Sequence, residues 1–337
     1  MHPSPPEVEP APALRDAWAP GAPIPLTGPL ERARFPAWVT AVLAVILGLV
    51  VYQGITTVLV IGLLLGSGAD VSAFGTDLAG MIEQFAREFL IANSIGQVFG
   101  LLVVGILLAR LHTPRAAPFL RFRRVDWGLL GLSVVGLFAL MPVVQWLSGL
   151  GRWIPQPEFL EEQEALQQVL IESVLAGDLS ILFSLAVIAV TPAFCEEIFF
   201  RGYAQRQFER SAGVMWGIVL SGVVFGLFHL RLTEALPLSV LGIYLAYLAW
   251  RTGSLWAPIV VHFVNNGFAV LAAAYVRSRP DLDLADIEEL TVPWYVALLG
   301  FAVFAAVIAA IRARAQRLLA AVPAPPPEPT SPIPTHE

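Results

Sequence analysis

The sequence predicts an all-α membrane protein, a bundle of about eight transmembrane helices. Three observations carry this. Of 337 residues, 57% are apolar and only 14% are charged, where a soluble domain carries about 25% charge. Mean hydropathy is +0.72. Uncharged stretches of roughly 20 residues, the length a helix needs to cross about 30 Å of hydrocarbon, recur along most of the chain.

Taken in order, residues 1–34 are rich in proline in a background of Ala, Gly and Glu, and lack the cationic start and short apolar core of a signal peptide. They read as a disordered cytoplasmic tail. N-terminal transmembrane helices and an interfacial helix are expected over 35–178, a catalytic group of helices over 179–277 and a last transmembrane helix over 278–318. A second disordered tail, 319–337, contains Pro325, Pro326 and Pro327. The spans fall near 36–65, 89–109, 127–150, 179–200, 212–230, 235–250, 253–276 and 290–311. The first is longer than a straight crossing requires, so it tilts, kinks near Gly48 or Gly54, or emerges into water. Between the third and fourth, Glu158 to Asp178 sets Phe159, Leu166, Val169, Leu170 and Leu175 at helical spacing among Glu161, Glu162, Glu164 and Glu172. That pattern predicts an amphipathic helix lying along the membrane surface.

Charge orients the bundle. All cationic residues are Arg, 20 of them, and the cytoplasmic side of a membrane protein collects them. With the N-terminus inside, the cytoplasmic segments hold Arg15, Arg32, Arg34, Arg110, Arg115, Arg121, Arg123, Arg124, Arg201, Arg206, Arg210, Arg251, Arg312, Arg314 and Arg317. The other side keeps Arg87, Arg152, Arg231, Arg277 and Arg279, with Asp281, Asp283, Asp286, Glu288 and Glu289. The expectation is an inner-membrane protein with both termini in the cytoplasm. A net charge of −6 and the absence of a basic run argue against a nucleic-acid partner. The single cysteine, Cys195, excludes an intramolecular disulfide and a four-thiolate zinc site.

Ionisable side chains at bilayer depth cost about 2.5–3.5 kcal/mol each, so the few present need a reason. They are Glu196 and Glu197 in the fourth span, His229 in the fifth and His262 in the seventh. Each sits in a four-residue spacing that places two side chains on one helix face: Glu197 with Arg201, Phe225 with His229, His262 with Asn266. The guanidinium can hold Glu197 ionised, leaving Glu196, about 100° round the helix, for another partner. A carboxylate that accepts a proton, two imidazoles and an amide suffice to add water to a peptide carbonyl. Glu196 would deprotonate the water and Asn266 would orient His262 or donate to the oxyanion. The imidazoles either donate to the oxyanion or join Glu196 in binding a metal such as zinc, so that His229, His262 and Glu196 are the candidate ligands. Cys195 beside two carboxylates is a poor thiolate nucleophile. The Gly222 and Gly226 pair fits close helix packing better than chemistry.

The run Glu196, Glu197, Ile198, Phe199, Phe200, Arg201, followed by Phe225 with His229 and by His262 with Asn266, resembles the EExxxR, FxxxH and HxxxN motifs of the CPBP intramembrane protease family. That family includes the eukaryotic CAAX prenyl endopeptidases and bacterial proteins of bacteriocin processing and self-immunity. The resemblance spans roughly residues 180–270 and implies an eight-helix fold. It gives Glu196 as the water-activating residue, Glu197 and Arg201 as its supporting pair, and His229, His262 and Asn266 as the remaining site residues. The expected activity is hydrolysis of a membrane-associated peptide or protein within the lipid bilayer. Two other readings stand beside it: a non-catalytic immunity or scaffold protein, and an ion-coupled transporter, since intramembrane Glu and His also mark ion paths. One tension remains. A fourth span ending at Arg201 would leave Glu196 near the inner side and His229 near the outer, unless the fourth helix continues to about Arg210 or the fifth is strongly tilted.

Overall fold

The computed structural model describes residues 13–14, 17–18, 23–70, 75–151, 153–176, 179–279 and 292–322. The extreme tails, Arg15, Arg152 and the acidic run Asp281 to Glu289 lie outside the described residues. Within them the chain is an all-α polytopic membrane protein: seven helices are long and apolar enough to cross a membrane. They are α1 (Ala37–Gly66), α2 (Ala86–His112), α3 (Trp127–Gly151), a 48-residue stretch Ile181–Phe228, α7 (Leu232–Thr252), α8 (Trp256–Arg277) and α9 (Trp294–Ala320). The amphipathic α4 (Glu158–Ala176) forms where its pattern predicts.

The 48-residue stretch is two antiparallel legs, α5 (181–212) and α6 (214–228). Gly213, at φ 81° and ψ 166°, turns the chain back, and Gly217 then lies so close that a Cβ on it would sit 2.7 Å from the backbone nitrogen of Glu209. Two legs in place of one give eight helical passages. Because that backbone region is open almost only to glycine, Gly213→Ala is expected to cost about 1–3 kcal/mol, read as a lower thermal midpoint of the purified protein in lipid.

α1 is unbroken, with no kink at Gly48 or Gly54. Gly48 instead makes room for the Phe199 ring, whose tip would lie 2.6 Å from an added Cβ. Helices in lipid gain little from burying apolar surface against one another, so close approach and interhelical hydrogen bonds do the holding. Gly222 and Gly226 serve this end: a Cβ on the first would meet Ile243 at 2.4 Å, and on the second the Ala235 carbonyl at 2.5 Å. α7 is thereby clamped along α6.

Two apolar clusters organise the bundle. One joins α1, α2, α5 and α6 around Leu101, Ile198, Phe199, Phe200 and Phe225. The other joins α3, α7, α8 and α9 around Leu137, Tyr244, Leu248 and Ile311. α8 straddles them, with Ile259 in the first and Val261 in the second. At the head of α3, Asp126 accepts from the Leu129 amide at 2.9 Å and pairs with Arg314 of α9. The Arg314 hydrogen bond holds this carboxyl below the usual carboxylate range.

Two expectations need correction. Residues 23–34 are not a free tail: Ile24 and Leu26 are buried in the first cluster, Gly28 N donates to the His112 carbonyl, and Glu31 pairs with His112 and Arg210. The polar run 201–212, expected between spans, is helical. Its polar groups find partners from distant elements: Gln205 donates to the Ala246 carbonyl, Arg206 to that of Phe119, and Glu209 accepts from Arg121.

Candidate active site

The extension of α5 resolves the depth problem. Because the helix runs on past Arg201 to 212 before turning, α6 rises alongside it and brings the end of α6 level with Glu196. Ser221 Oγ donates to the Phe200 carbonyl at 3.3 Å. The rings of Phe200 and Phe225 meet edge to face with centroids 5.4 Å apart, and those of Phe200 and Phe228 5.0 Å apart. His229 Nε2 then lies 4.0 Å from Glu196 Oε2.

Glu197 and Arg201 are both 0% exposed. Arg201 Nη1 donates to Glu197 Oε1 at 2.8 Å and Nη2 to the Gly242 carbonyl at 3.2 Å, while the guanidinium stacks over Phe225, 4.1 Å from the ring centroid. Glu197 Oε1 has a second partner, His262 Nδ1, at 2.8 Å. A carboxylate only accepts, so Nδ1 carries the hydrogen and Nε2 is the atom left to face the site. His229 is fixed likewise, with Nδ1 donating to the Phe225 carbonyl at 2.8 Å. Both imidazoles therefore offer Nε2.

Glu196 differs from its neighbour in being 8% exposed and in lacking the Arg201 and His262 hydrogen bonds that hold Glu197 Oε1; its buried Oε2, like Glu197 Oε2, has no hydrogen-bond partner. The 4.0 Å gap to His229 is too long for a direct hydrogen bond and is a distance that one water molecule can bridge. His229, with its side chain 31% exposed, forms the more open wall.

Asn266 does not touch His262. Its Nδ2 donates to the Ile188 carbonyl at 2.9 Å, and its Oδ1 accepts from Asn265 Nδ2 at 3.1 Å. The cause lies in α5: Pro192 has no N–H, so the carbonyl four residues earlier, that of Ile188, loses its helical donor. The helix widens to a π-type turn over Leu185–Val190, and Asn266 supplies the missing hydrogen bond. A second π-type turn, Ile198–Ala204, follows the glutamate pair directly. Such turns gather at functional sites.

A metal held by His229, His262 and Glu196 was one expectation. Among the described residues no three His, Cys, Asp or Glu side chains come together closely enough to hold a metal ion. The residues do not fit a preformed metal centre, and no step below runs through one.

The ionisable side chains pointed to α5, α6 and α8 and left the α1–α2 wall unnoticed. Tyr52 of α1 stacks on Phe228, with centroids 6.3 Å apart, and donates to Asn93 of α2. Uncharged polar residues in otherwise apolar spans were the available signal. α4 reaches the same place: Gln167 Nε2 donates to the His229 carbonyl at 3.5 Å, and Glu164 accepts from Thr233 and pairs with Arg231.

Residues 178–268, all three motifs among them, match the family described as type II CAAX prenyl endopeptidase Rce1-like. A Bacillus subtilis (strain 168) protein named "Putative membrane peptidase YdiL" is 25% identical over 169 residues, covering 50% of this chain and 68% of that protein. No solved structure matches at a comparable level. The three motifs drawn together at the meeting of α5, α6 and α8 all lie within the matched stretch, and it is this part of the chain that is similar to the type II CAAX prenyl endopeptidase Rce1-like family.

Proposed function

We propose that the protein is an intramembrane endopeptidase that hydrolyses a membrane-associated peptide or protein, with Glu196 as general base. The observation that carries this reading is the unpartnered, buried Oε2 of Glu196, 4.0 Å from His229 Nε2. A water between them donates one hydrogen to the carboxylate and one to the imidazole, leaving an oxygen lone pair for the carbonyl carbon. As the C–O bond forms, Glu196 takes the proton. It returns that proton to the amide nitrogen as the C–N bond breaks. His262, oriented by Glu197, donates to the oxyanion from Nε2 as the imidazolium. Arg201 holds Glu197 in place, and Asn266 fixes α5 against α8. The catalytic helices are those over 179–277.

The Arg distribution supports both termini in the cytoplasm and an inner-membrane location. A buried acid–imidazole pair where α5 meets the end of α6 supports cleavage within or at the edge of the bilayer.

The test is cleavage of a membrane-peptide library by purified protein in lipid, comparing wild type with Glu196→Ala and His229→Ala, with and without chelator. We expect cleavage to fall at least about 100-fold in both variants. Cleavage retained in both overturns the assignment, and loss of wild-type cleavage in chelator would require a metal that assembles only with substrate.

A further inference from the structure

The corner between α6 and α7 carries His229, and it is held from α4. His229 caps α6 with helical φ and ψ, and a helix end leaves its last carbonyls without helical donors. Gln167 Nε2 supplies a donor from outside, reaching the His229 carbonyl at 3.5 Å. Leu230 then takes φ 55°, the left-handed conformation in which glycine or asparagine usually ends a helix. Arg231, at φ −113° and ψ 101°, is extended and opens α7. A bulky residue at positive φ persists only where its surroundings fix the backbone around it.

α4 fixes it on both sides. Glu164 accepts from the Thr233 hydroxyl and pairs with Arg231 Nη2 at 3.5 Å, so with Gln167 it ties the chain before and after Leu230. Residues three apart share a helix face, which is how one face of α4 reaches both points. Glu164 also stands apart from the other acids of this helix. Glu158, Glu161, Glu162 and Glu172 are exposed, whereas the Glu164 side chain is 15% exposed and its second oxygen accepts from Gln156 Nε2 at 3.2 Å. One turn beyond Gln167, Leu170 packs on the cluster of Leu90 from α2 and Val187 from α5, which seats α4 on the bundle.

α3 grips the far side of the same corner. Ser148 Oγ donates to Glu234 at 2.9 Å, and Gly151 lies so close to the Thr233 carbonyl that a Cβ would overlap it. Those contacts fix where α7 begins and leave the His229 end to α6 and α4. That end is the one that bears on the chemistry. His229 Nε2 stands 4.0 Å from Glu196 Oε2, and a shift of about 1 Å either way closes or breaks a one-water bridge.

We propose that Glu164 and Gln167 are positioning residues for the hydrolysis: by tethering the chain on either side of Leu230, they hold His229 at the separation from Glu196 that one water spans. The role rests on the peptidase reading of Glu196 and His229, and it makes α4 a part of the active site that touches no reacting atom.

Glu164→Gln keeps an oxygen for Thr233 and removes the charge that Arg231 pairs with, and Gln167→Leu removes the donor to His229. Both are placed in the full-length protein in phosphatidylethanolamine–phosphatidylglycerol vesicles, with the library peptide that wild type cleaves fastest. Together they should lower kcat about tenfold, since displacements of about 1 Å carry losses of that size or more, and leave KM within about twofold. Hydrogen exchange at the amides of residues 229–233 should quicken. Added to His229→Ala, the same pair should change the residual single-turnover rate by less than about twofold, because effects that pass through one group do not add. Glu161→Gln, at an exposed position on the same helix, should match wild type in cleavage and exchange. Unchanged kcat, unchanged exchange, an equal loss in Glu161→Gln, or a loss as large in His229→Ala as in wild type overturns the positioning role, the last because a merely destabilised fold lowers both alike. A wild type that cleaves nothing removes the peptidase reading and the role with it. Glu196-dependent cleavage that is indifferent to the α4 pair removes the role alone.

Discussion

Glu196→Gln is expected to lower peptide cleavage by a factor on the order of 10²–10⁴ while leaving the thermal midpoint of the purified protein nearly unchanged. The two halves of this expectation have separate causes. An amide has the shape of the carboxylate but cannot take the proton of the attacking water, so the chemical step loses its base. Stability survives because the carboxylate is not what holds the helices: Arg201 spends its hydrogen bonds on Glu197 and the Gly242 carbonyl, and the nearest cation-forming group to Glu196 Oε2 is His229, 4.0 Å away. A neutral amide is also less costly to bury than an unpaired carboxylate. The measurement is paired, with cleavage in lipid and thermal unfolding of the same preparations. Equal activity in wild type and Glu196→Gln would return the protein to the scaffold reading, in which the fold is kept and the chemistry is not.

The neighbouring glutamates show how far sequence reaches. That Glu196 and Glu197 play different parts follows from the helix, since adjacent residues diverge by about 100° and only one can share a face with Arg201. The spans were legible because lipid enforces long uncharged runs, and Gly222 with Gly226 signalled a close helix contact through spacing alone. What was illegible depends on partners far along the chain. The run 201–212 holds Arg, Gln and Glu and reads as a break between spans, with a helix continuing to about Arg210 as the alternative; it is helical because Phe119, Arg121, Ala246 and Glu31 satisfy those groups from three other segments. Residues 23–34 read as disordered by proline content, but Ile24 and Leu26 give them an apolar footing and Glu31 an ionic one. Asn266 was matched to His262 by its four-residue spacing; the carbonyl orphaned by Pro192 claims it instead. The α1–α2 wall escaped a search for ionisable groups because Tyr and Asn cost less in lipid and so stand out less.

Arg201→Met should destabilise the protein more than any other single change at the site, by about 3–5 kcal/mol. The side chain is fully buried, and methionine fills much of its volume while removing two donors and the charge. Glu197 is then left at 0% exposure with a hydrogen bond from His262 alone, and its second oxygen already lacks a partner. A buried carboxylate without its counter-ion is the most costly arrangement available here. The Gly242 carbonyl loses its interhelical donor as well, which loosens α7 from α5. Removing the other half of the pair should repair much of this: Arg201→Met with Glu197→Leu puts two apolar side chains where two charges stood, and such replacements are often neutral or stabilising. We therefore expect the double variant to recover most of the thermal midpoint lost by the single one, yet to remain inactive, because His262 Nδ1 no longer has a carboxylate to fix its tautomer and support its charge. A double variant as unstable as Arg201→Met would show that the guanidinium holds the bundle through Gly242 and Phe225 rather than by neutralising Glu197. Recovery of activity along with stability would remove Glu197 and its hold on His262 from the mechanism.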